Sequence, residues 1–264
     1  MKIKNLIKKT IITVIITSIA ISGVACSKKE AVSTMDKDVL ILGFDDTFVP
    51  MGFKGDDGEY TGFDIDLAKE ISKKLNKEIE LQPIDWTMKE TELNNKNIDF
   101  IWNGFSITET RKEKLTFSKA YLKNRQVIIT LKDSDIKTKE DLKGKSVAAQ
   151  DQSSAVDAIG DYKSELKELV TFSTNDEALR DLEAGRVQAV VADEILSRYY
   201  INLKGVDKYN VLVDDFGDEE YAVGMRKDDT ELIEAFNKAY DEVVKDGTAS
   251  EISIKWFGED IVEK

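Results

Sequence analysis

The sequence predicts an α/β fold built on open sheets whose loops gather at one edge. Three observations carry this. Short β-branched and aromatic runs alternate with amphipathic helical stretches. Several of those runs end in Gly, Ser, Asn or Asp just before a helix begins, which is where open α/β sheets place their ligand sites. The chain has 264 residues with 41% hydrophobic content, enough for one large domain or two small ones with real cores.

Composition excludes several functions. A net charge of −13 argues against a nucleic-acid partner, because phosphate binding needs a basic surface. The chain has no His, so the commonest general base and metal ligand are missing. With a single Cys, Cys26, there is no internal disulfide and no Cys-rich zinc site. No calcium-loop pattern is visible, and neither a metal nor a cofactor is expected.

Residues 1–25 read as a targeting segment. Lys2, Lys4, Lys8 and Lys9 form a positive start, and the apolar run Ile11 to Ile21 is too short for a comfortable membrane span. Gly23-Val24-Ala25-Cys26 resembles a lipobox, with Gly23 where Leu is usual. The resemblance implies cleavage before Cys26 and acylation of it, including a diacylglyceryl thioether, which would hold the protein at a membrane surface. The alternative is an ordinary signal peptide that leaves Cys26 free. Residues 26–37 are polar and small and read as a flexible tether.

The elements then follow in order. Val39 to Phe44 is an apolar strand that runs into Asp45, Phe48 and Pro50. There Asp45 is a ligand group or a turn residue, and Phe48 a ligand wall or simply core. Asp56-Asp57-Gly58-Glu59 is a hairpin turn. From Gly62 to Leu75 the period is helical, with Ile65, Ala68, Ile71, Ser72 and Leu75 on one face. Asp64 and Asp66 suit the start of that helix dipole. Glu78 to Gln82 is a strand closed by Pro83-Ile84-Asp85-Trp86, and Thr87 to Asn95 a helix with Met88 and Leu93 inward. Next comes NIDFIWNGFSITETR, residues 97–111: a strand, the break Asn103-Gly104, and hydroxyls leading to a helix start. Helix N-terminal N–H groups favour an anion, and Arg111 can clamp a carboxylate with two parallel hydrogen bonds. The competing reading makes Arg111 a solvated residue paired with Glu109 or Glu113.

These motifs together resemble the extracellular solute-binding proteins of polar amino-acid ABC transporters (family 3). The carriers are Asp45-x-x-Phe48-x-Pro50, the run Gly62 to Ala68, Ile84-Asp85-Trp86, the run Trp102 to Thr108, Arg111, and Phe117-Ser118-x-x-Tyr121, over roughly residues 38–260. Ser72 and Ala120 depart from the family pattern at packing or hinge positions. The resemblance implies a type II periplasmic-binding-protein-like fold: two α/β lobes joined by two crossover strands, with a ligand cleft between them. Residues 38–121 and 223–264 would form the first lobe and 122–222 the second.

In the second lobe, Arg125 to Leu131 reads as a crossover strand. Ser146 to Ala149 is a strand followed by Gln152, Ser153, Ser154 and a helix from Ala155, again a place suited to an anion. One of the two serines is expected to cap that helix. Gln152 stands where the family often has Gly. Leu169 to Phe172, a helix capped near Thr174, and Gln188 to Ala192 follow, and Asp193 closes that strand. Tyr221 to Met225 is the expected return strand, Leu232 to Lys245 a long amphipathic helix, and Ile252 to Phe257 a last segment anchored by Trp256.

The function implied is a substrate-binding lipoprotein of an amino-acid importer, a monomer at the outer face of the cell membrane that delivers a free amino acid to a permease by hinge closure. Arg111 and the N–H groups near Ser106 and Ser153 would take the α-carboxylate, with Asn103, Gly104 and Gln152 also expected at the ligand. Asp193 would take the α-ammonium, Phe48 and Trp86 would sandwich the side chain, and Asp45 would meet a donor at its end. An acid between aromatic walls suits glutamine, arginine, lysine or cystine better than an acidic ligand. Two alternatives are an enzyme on the same fold, resembling cyclohexadienyl dehydratase, and a sensory ectodomain. The missing His counts against the first. A second membrane span, expected for the second, is not seen before Lys264.

Overall fold

A computed structural model describes residues 33–264. The predicted leader, Cys26 and most of the tether lie outside the described residues. The end of that tether is not free. Thr34–Asp36 forms a 3-10 turn with a capping box from Ser33 and Asp36. Thr34 Oγ1 donates to Asp229 at 2.7 Å, and Lys37 pairs with Asp99 at 2.7 Å.

The chain runs through β1 (Val39–Phe44), the small meander β2 (Thr47–Phe48), β3 (Gly52–Lys54) and β4 (Tyr60–Thr61), then α1 (Phe63–Leu75) and β5 (Glu78–Pro83). A 3-10 turn (Trp86–Met88) leads into α2 (Lys89–Asn94), followed by β6 (Phe100–Ile101), α3 (Glu109–Lys112) and β7 (Thr116–Phe117). It crosses over in β8 (Leu122–Leu131) to β9 (Ser146–Gln150), α4 (Ser154–Ile159), β10 (Glu168–Phe172), α5 (Asn175–Glu183), β11 (Ala189–Asp193), α6 (Glu194–Lys204) and β12 (Tyr209–Tyr221). It returns through β13 (Gly224–Met225) to α7 (Thr230–Lys245) and α8 (Thr248–Phe257).

Two five-stranded sheets define two lobes, with orders β5-β1-β6-β13-β7 and β10-β9-β11-β8-β12. β1 is parallel to β5 and β6, and β9 is parallel to β10 and β11. Such strands are covered by helices and read as continuous apolar runs, as Val39–Phe44 does. In the first lobe they pack with Ile65 and Ile71 of α1 and with Phe236 of α7, whose ring lies 5.1 Å from that of Trp102. In the second lobe Val147, Ala149 and Val191 pack with Ile159 of α4. The carboxyl ends of β1, β5, β6, β9 and β11 all open toward the space between the lobes.

The local chemistry explains the boundaries. Asn76 ends α1 in the left-handed region, φ 50°. Gly62 starts it at φ 139°, where a Cβ would lie 2.2 Å from the Met51 carbonyl oxygen. Thr174 and Glu177 form a capping box on α5.

Three expectations need correction. The predicted helix at 87–95 begins instead as a 3-10 turn, with Asp85 Oδ1 accepting from the Thr87 N–H at 2.9 Å. The tighter turn shifts the phase, so Lys89 and Leu93 face inward and Met88 is exposed. The return strand is not Tyr221 to Met225: β12 ends at Tyr221 and β13 is a separate two-residue strand. The first half of β12 escapes sequence reading because register shifts between Val211 and Asp215, and between Asp215 and Asp218, break its alternation. Finally, neither Ser153 nor Ser154 caps α4 through its side chain. Ser153 Oγ donates to the Gln150 carbonyl at 2.8 Å, and Ser154 Oγ points across the cleft.

Candidate functional site

The first lobe contributes loops that follow its parallel strands. Asp45 follows β1 directly. Its N–H donates to Asn103 Oδ1 at 3.1 Å, and its Oδ1 accepts from the N–H and hydroxyl of Thr47 at 2.9 and 2.6 Å. Its Oδ2 accepts from Gln150 Nε2 of the second lobe at 2.7 Å. Burial pushes the Asp45 carboxyl up, against the pull of these donors.

Phe48 is buried against Gly104. Gly104 has φ 56°, and a Cβ there would lie 2.8 Å from the Phe48 ring and 3.1 Å from Tyr221, so only glycine fits. Its N–H donates to Asp64 Oδ2 at 2.7 Å, and Tyr121 donates to the same oxygen at 3.0 Å. Asp64 is therefore more than the helix-dipole residue expected from its position. It is fully buried, with its pKa pushed up to about 7 by burial, and it fixes the Gly104 turn.

Arg111 is buried and pairs with neither Glu109 nor Glu113, whereas Lys112 pairs with Glu109. Its Nη1 donates to the Ser106 carbonyl at 2.7 Å and its Nη2 to the Gln152 carbonyl at 3.4 Å, with the guanidinium 4.2 Å above the Phe105 ring. Thr108 caps α3 by accepting from the Arg111 N–H at 3.2 Å. Trp86 stands edge-on to the Phe105 ring, with centroids 5.7 Å apart. Lys89 lies beside it, buried. Its ammonium donates to the Trp86 and Gln152 carbonyls at 3.1 and 3.0 Å. Burial, and then the nearby Arg111 charge, bring its pKa down to about 7.

The second lobe and the crossover strands contribute the opposite charge. Asp193 ends β11 and is buried. Its Oδ1 accepts from Asn124 at 2.6 Å, Gln126 at 3.1 Å and the Tyr221 hydroxyl at 2.8 Å. Burial and then the Glu219 charge raise its pKa to about 7. Glu219 Oε2 accepts from Ser106 at 2.6 Å, Gln126 at 2.9 Å, and Asn124 and Ser154 at 3.2 Å each. Ser154 Oγ also meets Ser106 Oγ at 3.1 Å. Gln152 enters through its carbonyl, set by a left-handed backbone at φ 52°, while its side chain is exposed.

Of the residues expected at the site, Asp45 bonds Asn103 and reaches Gln150 across the lobes, Arg111 bonds the Ser106 and Gln152 carbonyls, and the Gln152 side chain turns outward. Sequence reading missed Lys89, Gln150, Asn124, Gln126, Glu219 and Tyr221. A signal existed for two of them. In β8, Leu122, Asn124, Gln126, Ile128 and Thr130 share the buried face, so two amides interrupt an inward row. No cluster of His, Cys, Asp and Glu among the described residues is arranged to hold a metal ion.

The arrangement offers a cation on one wall, acids on the other and aromatic rings between. The fold that carries it is shared with known proteins. The pattern of the bacterial extracellular solute-binding proteins, family 3, matches residues 40–259. An ABC uptake transporter substrate binding protein from Streptococcus pneumoniae, solved with bound histidine, is 43% identical, with a TM-score of 0.83 over 87% of this chain and 96% of that one. The L-cystine-binding protein TcyJ of Escherichia coli (strain K12) is 32% identical over 86% of each chain. The arginine-binding extracellular protein ArtP of Bacillus subtilis (strain 168) is 31% identical over 95% of this chain and 98% of its own. With the match running almost from β1 to the end of α8, this chain belongs to the family 3 bacterial extracellular solute-binding proteins.

Proposed function

We propose that the protein is the substrate-binding component of an amino-acid ABC importer, and that it captures a free polar or cationic amino acid between its lobes. One observation carries this reading. Arg111 and Asp193 are both buried in the same cleft, and neither has a salt-bridge partner of opposite charge among the described residues. Buried charges are normally paired. A zwitterion supplies both partners at once, its carboxylate to Arg111 and its ammonium to Asp193. Phe48 and Trp86 wall the space for its side chain. Asp45 already accepts a 2.7 Å N–H bond from the Gln150 amide, which favours a ligand side chain ending in an amide or a cation. Glutamine, arginine, lysine and cystine fit this description. The named relatives, which bind histidine, cystine and arginine, support the class.

Contacts come from both lobes, so binding favours the closed arrangement, and closure is a bend of the crossovers near residues 121–127 and 218–223. The closed form docks on a permease. Cys26 carries a lipid that holds the protein at the outer membrane face, with residues 1–25 removed. Calorimetry of the mature protein with the common amino acids and cystine tests the main reading. Binding of at least one amide or cationic amino acid is expected, and failure of every amino acid overturns it. Intact-mass measurement of membrane-extracted protein tests the anchor: an acylated Cys26 is expected, and an unmodified thiol overturns it.

A further inference from the structure

Glu219 was not among the residues expected at the cleft, yet it collects four donors there. Its neighbour Asp193 collects three. All seven bonds converge on a single oxygen of each acid, and the amides of Asn124 and Gln126 each bridge the two carboxylates. No side-chain donor among the described residues reaches Oδ2 of Asp193 or Oε1 of Glu219. The carbonyl oxygens of the two bridging amides, Asn124 Oδ1 and Gln126 Oε1, are themselves buried without a donor. The cluster therefore has a surplus of acceptors and two negative charges, with no basic side chain in contact. Asp193 is buried and Glu219 half-buried, and a pair of acids so placed calls for a cation that brings several N–H donors.

We propose that Glu219 is a second acidic residue of the ammonium subsite: with Asp193 it forms an amide-bridged dicarboxylate that holds one exchangeable proton and releases it when an ammonium group arrives. This rests on the amino-acid-binding reading above. Burial first, and then the Glu219 charge beside it, disfavour ionisation of Asp193, so it keeps a proton to higher pH than an exposed carboxyl would. When the ammonium enters, its N–H groups donate to the carboxylate oxygens. The carboxyl O–H bond breaks and the proton passes to water; no other bond changes. The exit is at hand, because a groove of about 610 Å3 along the crossover strands reaches Asn124 and Glu219 from solvent.

The charged surroundings set the sign. Arg111 faces the pair from the first lobe without touching it and favours the ionised form, as does any ammonium ligand. Tyr221 donates to Asp193. Lys112 and Lys123 line the groove with Asp218 and Glu220. Burial and Glu219 hold Asp193 near 7 in the free protein, and a bound cation lowers it. Binding must then expel a proton below about pH 7 and need not above it, so affinity falls with acidification, by up to about tenfold per pH unit.

The probe is L-glutamine, whose only cation is its α-ammonium, with L-cystine and L-arginine run beside it. Calorimetry in two buffers of different ionisation enthalpy counts the protons released. Release of a large fraction of one proton per ligand is expected at pH 6.5, falling toward none at pH 9. Glu219→Gln removes the neighbouring charge, so release at pH 6.5 should drop severalfold and the acid limb of the affinity profile should move down by a pH unit or more. Equal apparent heats in both buffers for the wild type at pH 6.5 overturn the proposal, and this needs no variant to fold. So does a Glu219→Gln protein that releases as many protons as the wild type. If no amino acid binds the wild type at any pH, it is the underlying functional reading that fails.

Discussion

The two walls of the cleft are built by different means. On the first lobe the polar groups come from loops that follow parallel strands: Asp45 after β1, Trp86 after β5, and Asn103 to Arg111 after β6. On the other side the groups that matter most stand on the strands themselves. Asn124 and Gln126 belong to β8, Glu219 and Tyr221 to β12, and only the Gln150 to Ser154 turn and Asp193 follow the strand-end pattern. A strand-end loop can be recognised in sequence, because a run of apolar residues stops and Gly, hydroxyls and a helix start follow. A polar residue inside an antiparallel crossover looks like half of an ordinary alternation until its face is known to be buried. The difference separates what a binding protein shares with any open α/β sheet from what belongs to its hinge.

The comparison can be broken most sharply at Arg111. Removing its side chain leaves the first wall without its cation, so Arg111→Ala should weaken amino-acid binding at least about a hundredfold, from the loss of two charge-assisted hydrogen bonds to a buried carboxylate. Arg111→Lys keeps the charge but not the fork, and should fall between the two. Calorimetry reads both, and unchanged affinity in Arg111→Ala would show that the first wall does not hold the carboxylate.

A smaller effect is expected where the walls meet side chain to side chain. Asp45→Ala should leave the α-amino-acid clamp intact and alter the ranking among side chains by about tenfold, the scale of one hydrogen bond to a charged group. Competition between L-arginine, L-glutamine and an apolar amino acid gives the ranking directly. An unaltered order would remove Asp45 from the specificity surface.

The smallest effect concerns Lys89, which ties Trp86 to the second wall through the Gln152 carbonyl. Its folded pKa near 7 lies below that of an exposed lysine, so between about pH 7 and 10 the unfolded chain binds more protons and stability rises with pH. Asp64 and Asp193, raised to about 7, act in the opposite sense below that value, where stability falls as pH climbs. Thermal melts should therefore show a wild-type gain of order 1 kcal/mol from pH 7 to 9 that Lys89→Met lacks. Equal slopes for the two proteins would mean that Lys89 keeps an ordinary pKa.

Much of this was readable before the structure. β1 and α1 coincide with their apolar runs almost to the residue, because nothing in those runs conflicts with burial. The ten expected site residues came from strand-end chemistry joined to a family resemblance. What escaped did so for identifiable reasons. Lys89 escaped because a helical phase drawn through a 3-10 turn put Met88 inward in its place. Asp64 looked like a dipole residue because its partner, the Gly104 N–H, is forty positions away. Glu219 lies in an acidic stretch whose bulges hide its alternation, and no local pattern marks one acid of Asp218-Glu219-Glu220 as inward.

The pairing of the two crossovers has a mechanical consequence. Leu122 to Arg125 and Asp218 to Tyr221 are hydrogen-bonded neighbours, residue against residue, so the lobes are linked by one two-stranded ribbon and not by two separate strings. A ribbon of this kind would flex about a single line and resist shear, so the proposed closure would be a one-dimensional motion. Asn124, Gln126, Glu219 and Tyr221 stand on or beside that line, where displacement is least. On the binding reading proposed above, an amino group seated among them would keep its contacts as the cleft opens, while Arg111 and Gln150 would sweep in from the sides. Capture would then begin at the pivot, with association governed by the acids there and residence time by the groups that arrive last.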